Sequence, residues 1–135
     1  MFRQLVIGLG ALALVAGCDS STAPSVADVA GSYSAQAFVT TTNGVDTDEL
    51  GRGATLTLVL SPGGSVTGQL HIPANATNPA LDADMAGSWA LSGRIVTFTQ
   101  SADTFVRNMT FAFVNNTLSG TAVFSGTRVQ LLLGR

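Results

Sequence analysis

The chain has 135 residues, enough for one domain with one hydrophobic core. Its six basic residues, all arginines, are scattered among eight acids, so the net charge is −2. Proteins that bind nucleic acid need clustered cations, and this distribution therefore excludes a nucleic-acid partner. The chain has one cysteine, which rules out an internal disulfide framework.

The first 17 residues have the order of an export signal. Arg3 supplies a positive start, and residues 5–15 form an apolar run. A spanning helix needs about 20 apolar residues, so this run is too short to cross a bilayer. Ala16 and Gly17 then precede Cys18. The alternatives for this segment are an ordinary secretory signal with an incidental cysteine, or a single membrane anchor.

Residues 15–18, with the sequence Val-Ala-Gly-Cys, resemble the lipobox of bacterial lipoproteins. The resemblance implies cleavage before Cys18, a diacylglycerol thioether on its sulfur and acylation of the new amine. Each buried CH₂ of such chains contributes about 0.8 kcal/mol to membrane binding. We therefore expect a lipid-anchored protein of the bacterial cell envelope, periplasmic or surface-facing, that contacts the bilayer through its acyl chains. No other cofactor is expected.

Three segments follow from this order. Residues 1–17 are the predicted signal peptide, and residues 18–27 carry the lipidated cysteine and a flexible tether of small polar residues. Residues 28–135 are the predicted β-barrel domain. A short helical turn is expected near residues 26–30.

After the tether, apolar and polar residues alternate with a period of two. Leu56, Leu58 and Leu60, for example, alternate with threonine or valine. This alternation indicates strands with one buried face, and Gly, Asn, Ser and Pro separate the strands as turn residues. The predicted strands are 31–40, 54–61, 65–72, 85–92, 94–100, 107–115, 117–124 and 127–133.

Eight strands with short connections predict an all-β, antiparallel up-and-down barrel, since that number closes a small barrel and removes its edges. Gly68 and Gly120 on inward faces favour the barrel, because strands bend sharply there. A β-sandwich of two four-stranded sheets is the alternative.

The first predicted strand opens with Gly31, Ser32 and Tyr33. Together with the predicted meander, this resembles bacterial lipocalin-like domains of the calycin type. The resemblance implies that Tyr33 plugs the closed end of the barrel and that Arg128, on the last strand, packs over it. Lipocalins usually carry a tryptophan at the first position, whereas the one tryptophan here is Trp89.

Strand direction places the tight turns at 62–64, 92–93 and 115–116 at one end of the barrel. The connections at 41–53, 73–84, 101–106 and 125–126 lie at the other end. Those connections hold six acids, so we expect an acidic rim around the entry. The rim residues expected to influence ligand entry are Asp46, Asp48 and Asp82.

Inward-facing residues are expected to line the lumen. They are Leu56, Leu58, Leu60, Leu70, Trp89, Leu91, Phe98, Met109, Phe111, Phe113, Phe124, Val129, Leu131 and Leu133. The predicted ligand contacts among them are Leu58, Trp89, Phe98, Phe111, Phe113 and Phe124. An eight-stranded barrel has room for packed side chains or for one small ligand. A cavity above about 300 Å³ favours ligand binding.

Two functions remain open at this point. The leading one is a membrane-anchored lipoprotein whose barrel binds a small apolar or amphipathic molecule at the envelope. The alternative is a non-catalytic interaction or inhibitor domain with a solid core that docks on an envelope protein. Outward aliphatic residues are the expected docking patch for the second function. They are Val59, Ile95, Val114, Val123 and Leu132.

No catalytic or metal site is predicted. His71 is the one histidine and lies on an outward face, and no Gly-x-Ser-x-Gly nucleophile elbow is present. Asp82 and Asp84 dictate no shared dyad geometry. Asp46 and its acidic neighbours lack the spacing and glycine of a calcium loop. We therefore expect a protein that is not an enzyme.

Substituting Cys18→Ala removes the sulfur that the lipobox resemblance requires. We expect the exported variant to move from the membrane fraction to the soluble fraction in cell fractionation, whereas Ser21→Ala, a matched change three residues later, stays in the membranes. Continued membrane fractionation of Cys18→Ala would contradict the lipid anchor.

Overall fold

Alternating residues become antiparallel strands along most of the chain. The computed structural model describes residues 22–135; the predicted signal peptide and the lipidated Cys18 lie outside this range. The elements are α1 (Val26–Val29), β1 (Gly31–Thr42), β2 (Val45–Asp48), β3 (Thr55–Leu60), β4 (Ser65–Ile72), β5 (Leu81–Asp84), β6 (Gly87–Ser92), β7 (Ile95–Gln100), α2 (Phe105–Asn108), β8 (Thr110–Val114), β9 (Thr117–Phe124) and β10 (Thr127–Gly134).

The sheet closes on itself. Its strand order is β10-β9-β8-β7-β6-β4-β3-β1, and β1 pairs in turn with β10. That closing ladder runs from Ser34↔Gly134 to Thr42↔Thr127, with an irregularity between Ala35 and Ala37. Closure by backbone pairing confirms the predicted eight-stranded barrel and excludes the sandwich.

Two of the eight barrel strands are interrupted. β3 and β2 pair with successive parts of the same edge of β1, and β6 and β5 do so along β4. Residues 41–53 and 73–84, which we expected to be loops, therefore contain β2 and β5. The expected loop at 101–106 runs into α2, and β8 begins at Thr110 rather than at residue 107.

Four of the predicted rim acids lie on these short strands. Asp46 and Asp48 are on β2, and Asp82 and Asp84 are on β5. Within residues 22–135, no strand pairs with the second edge of β2 or β5. Charged side chains on a short edge strand oppose its pairing with another chain. These acids thus protect the two open edges that the barrel retains.

The barrel interior is filled by side chains. Twelve of the fourteen predicted inward residues are buried, and the other two, Leu91 and Phe124, are half-buried. The side chains of Leu58 and Phe111 are 0% exposed. A ligand-sized space beside these side chains would leave part of their surface accessible to water, so the interior is packed as a core at these positions.

A short helix covers each end of the barrel. The Ser25 hydroxyl accepts a hydrogen bond from the Asp28 backbone (3.3 Å) and caps α1, which buries Val29 where β1 begins. Helix α1 therefore starts inside the segment predicted to be tether. At the other end, α2 buries Val106 and places the Phe105 ring 5.6 Å from that of Phe38.

At Gly68 the backbones of β4 and β3 approach so closely that a residue with a Cβ does not fit. Its φ is +146°, and a Cβ there would lie 1.9 Å from the Thr57 carbonyl oxygen on β3. At Gly120 a Cβ would lie 2.9 Å from the Phe111 ring. Both glycines, predicted as positions of strand bending, are thus required by close contacts across the barrel wall.

Trp89 ties the wall to the β3–β4 turn, because its indole nitrogen donates to the Ser61 carbonyl (2.8 Å) and its ring is only 6% exposed. We expect Trp89→Ala to lower the free energy of unfolding by about 3–5 kcal/mol, measured by urea unfolding followed by circular dichroism. Trp89→Phe keeps a ring but loses the donor, and is expected to cost about 1–2 kcal/mol. A loss below about 1 kcal/mol for Trp89→Ala would show that the ring is not packed.

Candidate functional site

The mouth of the barrel, at the end covered by α2, holds a pocket of about 310 Å³. The turn between β2 and β3 forms one side, and the connection from β4 to β5 forms the other. Its lining residues are Thr40, Glu49, Arg52, Ile72, Pro73, Asn75, Asn78, Pro79, Leu81 and Thr127. We call this depression the mouth pocket.

One wall of the mouth pocket is held by its own hydrogen bonds. The Asn75 side-chain oxygen accepts from the backbone amides of Thr77 (2.9 Å) and Asn78 (2.7 Å). The Asn75 backbone amide also donates to the Asn78 backbone carbonyl (2.9 Å). Asparagine forms such turns readily, because its short side chain reaches the backbone of the following residues. The connection from β4 to β5 is therefore held by hydrogen bonds within itself.

The opposite wall carries two opposite charges. A Glu49 side-chain oxygen accepts from the Thr40 hydroxyl (2.6 Å), and the Glu49 carbonyl accepts from the amides of Arg52 (3.1 Å) and Ala54 (3.0 Å). Among residues 22–135, the Arg52 guanidinium takes part in no ion pair. The turn thus presents a carboxylate that is held by a hydrogen bond and a guanidinium that forms no ion pair within the described residues.

The six predicted ligand contacts lie elsewhere. Leu58, Trp89, Phe98, Phe111 and Phe113 are buried in the barrel interior, and Phe124 is half-buried with its ring 6.5 Å from that of Phe105. None of them lines the mouth pocket.

The three predicted rim residues also stand outside the mouth pocket. Asp46 accepts a hydrogen bond from the Thr41 hydroxyl (2.5 Å), and Asp48 accepts one from the Gly51 amide (3.2 Å). Asp82 pairs with His71. Sequence reasoning missed Arg52 as a site residue; its signal is an arginine between two glycines, directly after an acidic run.

His71 and Asp82 face each other across β4 and β5. Their side chains approach to 2.5 Å on the outer surface, where His71 is 42% exposed. This is the outward placement predicted for His71. Within the part of the chain that the structure describes, no three potential metal ligands of the His, Cys, Asp or Glu type lie together.

The closed end is held by an arginine over a buried tyrosine. Tyr33 donates through its hydroxyl to the Val29 carbonyl, and Arg135 donates to that hydroxyl (3.0 and 3.2 Å) and to the Asp28 carbonyl. The Arg135 guanidinium lies 5.2 Å from the centre of the Tyr33 ring, within cation–π range. These contacts hold the buried Tyr33 ring in place at the closed end of the barrel.

The partner arginine was misidentified. Arg128 lies at the mouth end of β10, exposed and paired in register with Thr41 and Val123. Side chains on a strand alternate between faces, and Arg128 points outward at the wrong end of the strand. Arg135, just after β10, is the arginine that packs over Tyr33.

The outer wall over β9, β10 and β1 bears a shallow groove of about 370 Å³. A register row of small and aliphatic residues runs from β7 and β8 into this groove, and its last three members line it: Ile95, Ala112, Ser119, Leu132 and Ala37. The row joins two residues of the predicted docking patch, Ile95 and Leu132. Val114 lies on the neighbouring outward row, Val123 lies two outward rows away along β9, and Val59 is on β3 and separate from them.

No protein-family model, curated protein or solved structure matches this chain. Within residues 22–135, neither helix is long and apolar enough to cross a membrane.

Burial raises the pKa of Tyr33 above its ordinary value of 10.0, and the hydrogen bonds from Arg135 offset part of that rise. The unfolded chain therefore loses this proton at lower pH than the folded protein. We expect the free energy of unfolding to fall as the pH rises above about 10. The Tyr33→Phe variant lacks this contribution to the fall.

Tyr33 is the one tyrosine in the chain, so the tyrosinate absorbance band reports its titration directly. In the folded protein this band is expected to appear above pH 10. Half-titration at or below the ordinary pKa would contradict the buried position of the hydroxyl.

Proposed function

We propose that this chain is a non-catalytic binding module of the bacterial cell envelope, anchored by lipid on Cys18, whose barrel mouth takes a small amphipathic molecule. The observation that carries the proposal is the mouth pocket, with an apolar wall beside two charged groups. Barrel mouths are frequent ligand sites, and pockets for small molecules begin at about 300 Å³. The lipobox and lipocalin-like resemblances of the sequence support the same function.

The mouth suits a ligand better than the interior does. Leu58 and Phe111 have no exposed surface, so a guest in the lumen would have to displace well-packed side chains. The mouth pocket is already open, and the hydrogen bonds of Asn75 hold one of its walls in place. A wall that is ordered in advance lowers the entropy cost of binding.

The tether supports access from the aqueous side. Helix α1 is the first element that the structure describes and covers the closed end, so the described part of the chain begins at the end of the barrel opposite the mouth. In this arrangement a ligand reaches the pocket from the solvent side of the membrane.

A second candidate function is docking on an envelope protein through the outer wall. The row of Ile95, Ala112, Ser119, Leu132 and Ala37 favours it, because a partner strand or loop could lie in the groove without desolvating any charge. A Leu132→Asp variant that loses a defined protein partner while keeping small-molecule binding would support this function.

Native mass spectrometry of the full chain in mild detergent tests the leading proposal, with octanoate, octylamine and 2-aminooctanoate as added amphiphiles that carry a negative charge, a positive charge or both. We expect a bound amphiphile that Leu81→Asp abolishes and Val45→Asp retains. Both residues are exposed aliphatics on short edge strands, and only Leu81 lines the mouth pocket. Failure of all three amphiphiles to bind, or their retention by Leu81→Asp, would overturn the proposal.

A further inference from the structure

The charges of the mouth pocket specify a class of ligand. We infer that the pocket takes a small zwitterion with an apolar side group, the chemistry of an aliphatic amino acid. This inference rests on the proposed function, because it uses the same pocket, and it narrows amphipathic molecules to one class.

Glu49 and Arg52 supply the two polar contacts. One Glu49 side-chain oxygen accepts from Thr40, and among residues 22–135 the other has no hydrogen-bond partner. Arg52 lines the same pocket three residues later, in the turn that its amide closes onto the Glu49 carbonyl. A ligand ammonium can donate to Glu49, and a ligand carboxylate can accept two parallel hydrogen bonds from the guanidinium of Arg52.

The pairing of opposite charges selects against ligands with one charge. A simple carboxylate that approaches Arg52 also meets the negative charge of Glu49, and a simple amine that approaches Glu49 meets Arg52. A zwitterion satisfies both groups and leaves the occupied pocket neutral. Electrostatic matching of this kind contributes mainly to specificity.

The rest of the lining suits a short aliphatic group. Ile72, Pro73, Pro79 and Leu81 present apolar surface across from the charged turn. Burial of apolar area there contributes about 25 cal/mol per Å². A volume of about 310 Å³ is too small for a long acyl chain together with its head group. An aliphatic amino acid such as leucine presents an ammonium, a carboxylate and a short apolar side chain.

Isoleucine methyl NMR of the full chain in lipid nanodiscs provides the test. The chain has three isoleucines, of which Ile72 lines the mouth pocket and Ile95 lies on the outer wall. Titration with L-leucine is expected to shift the Ile72 methyl and leave Ile95 unchanged. N-acetyl-leucine, which lacks the ammonium, and leucine amide, which lacks the carboxylate, are each expected to bind at least tenfold more weakly, about 1.4 kcal/mol.

Charge-removing variants identify the contacts. Arg52→Gln is expected to weaken leucine binding at least tenfold without weakening the binding of leucine amide. Glu49→Gln is expected to weaken leucine binding at least tenfold without weakening the binding of N-acetyl-leucine. Arg94→Gln, which removes an exposed charge outside the pocket, is the matched control. Equal binding of all three ligands would overturn the inference.

The same titration separates the inference from the proposed function. If octanoate or octylamine shifts Ile72 and leucine does not, the zwitterion class is wrong and the mouth pocket remains a binding site. If neither leucine nor any of the three amphiphiles shifts Ile72, both the inference and the proposed function fail.

Discussion

Backbone pairing of β1 with β10, from Ser34↔Gly134 to Thr42↔Thr127, closes the sheet into a barrel. This closure determines both the packed interior and the structure of the two ends. Closure gives every strand an inward and an outward face and encloses a fixed volume. In this chain that volume is occupied by leucine and aromatic side chains. The two ends of the barrel lie outside this packed volume, and they differ in structure.

Hydrogen bonds and a cation–π contact hold the closed end together. Arg135 ties the α1 carbonyls and the Tyr33 hydroxyl together, joining segments 102 residues apart in the sequence. The Arg135 guanidinium stabilises this end by its cation–π contact with Tyr33 and by hydrogen bonds to the Tyr33 hydroxyl and the Asp28 carbonyl. At the mouth end, β2 and β5 each leave one edge unpaired among the described strands, and their acids oppose edge pairing. The open pocket therefore lies at the mouth, and the core is filled by side chains.

Most of the barrel could be predicted from the alternation of residues, because a period of two fixes which side chains face inward. Leu56, Leu58 and Leu60 are all buried, as that pattern predicts. The interruptions at β2 and β5 could not be predicted, since their short charged sequences resemble loops. Arg135 was missed because strand parity applies within β10, and this residue lies just beyond its last paired position.

The candidate site was harder to predict than the fold. Inward aromatics predict a lumen, but periodicity does not distinguish a lined cavity from a filled core, and side-chain packing decides between them. The mouth pocket depends on Arg52, whose place beside Ile72 and Leu81 follows from how the turn after β2 meets the connection from β4 to β5. Contacts between distant loops leave no periodic signal in the sequence.

The central claim is that the barrel interior is solid and that binding occurs at its mouth. Xenon enters apolar cavities and shifts the NMR signals of neighbouring methyl groups, so methyl spectra of the protein under xenon pressure test this claim directly. The account predicts no xenon-dependent shifts at the methyls of Leu58, Leu118 and Leu133, which have no exposed surface. Saturable shifts at those three residues would reveal an internal cavity and return the ligand site to the lumen.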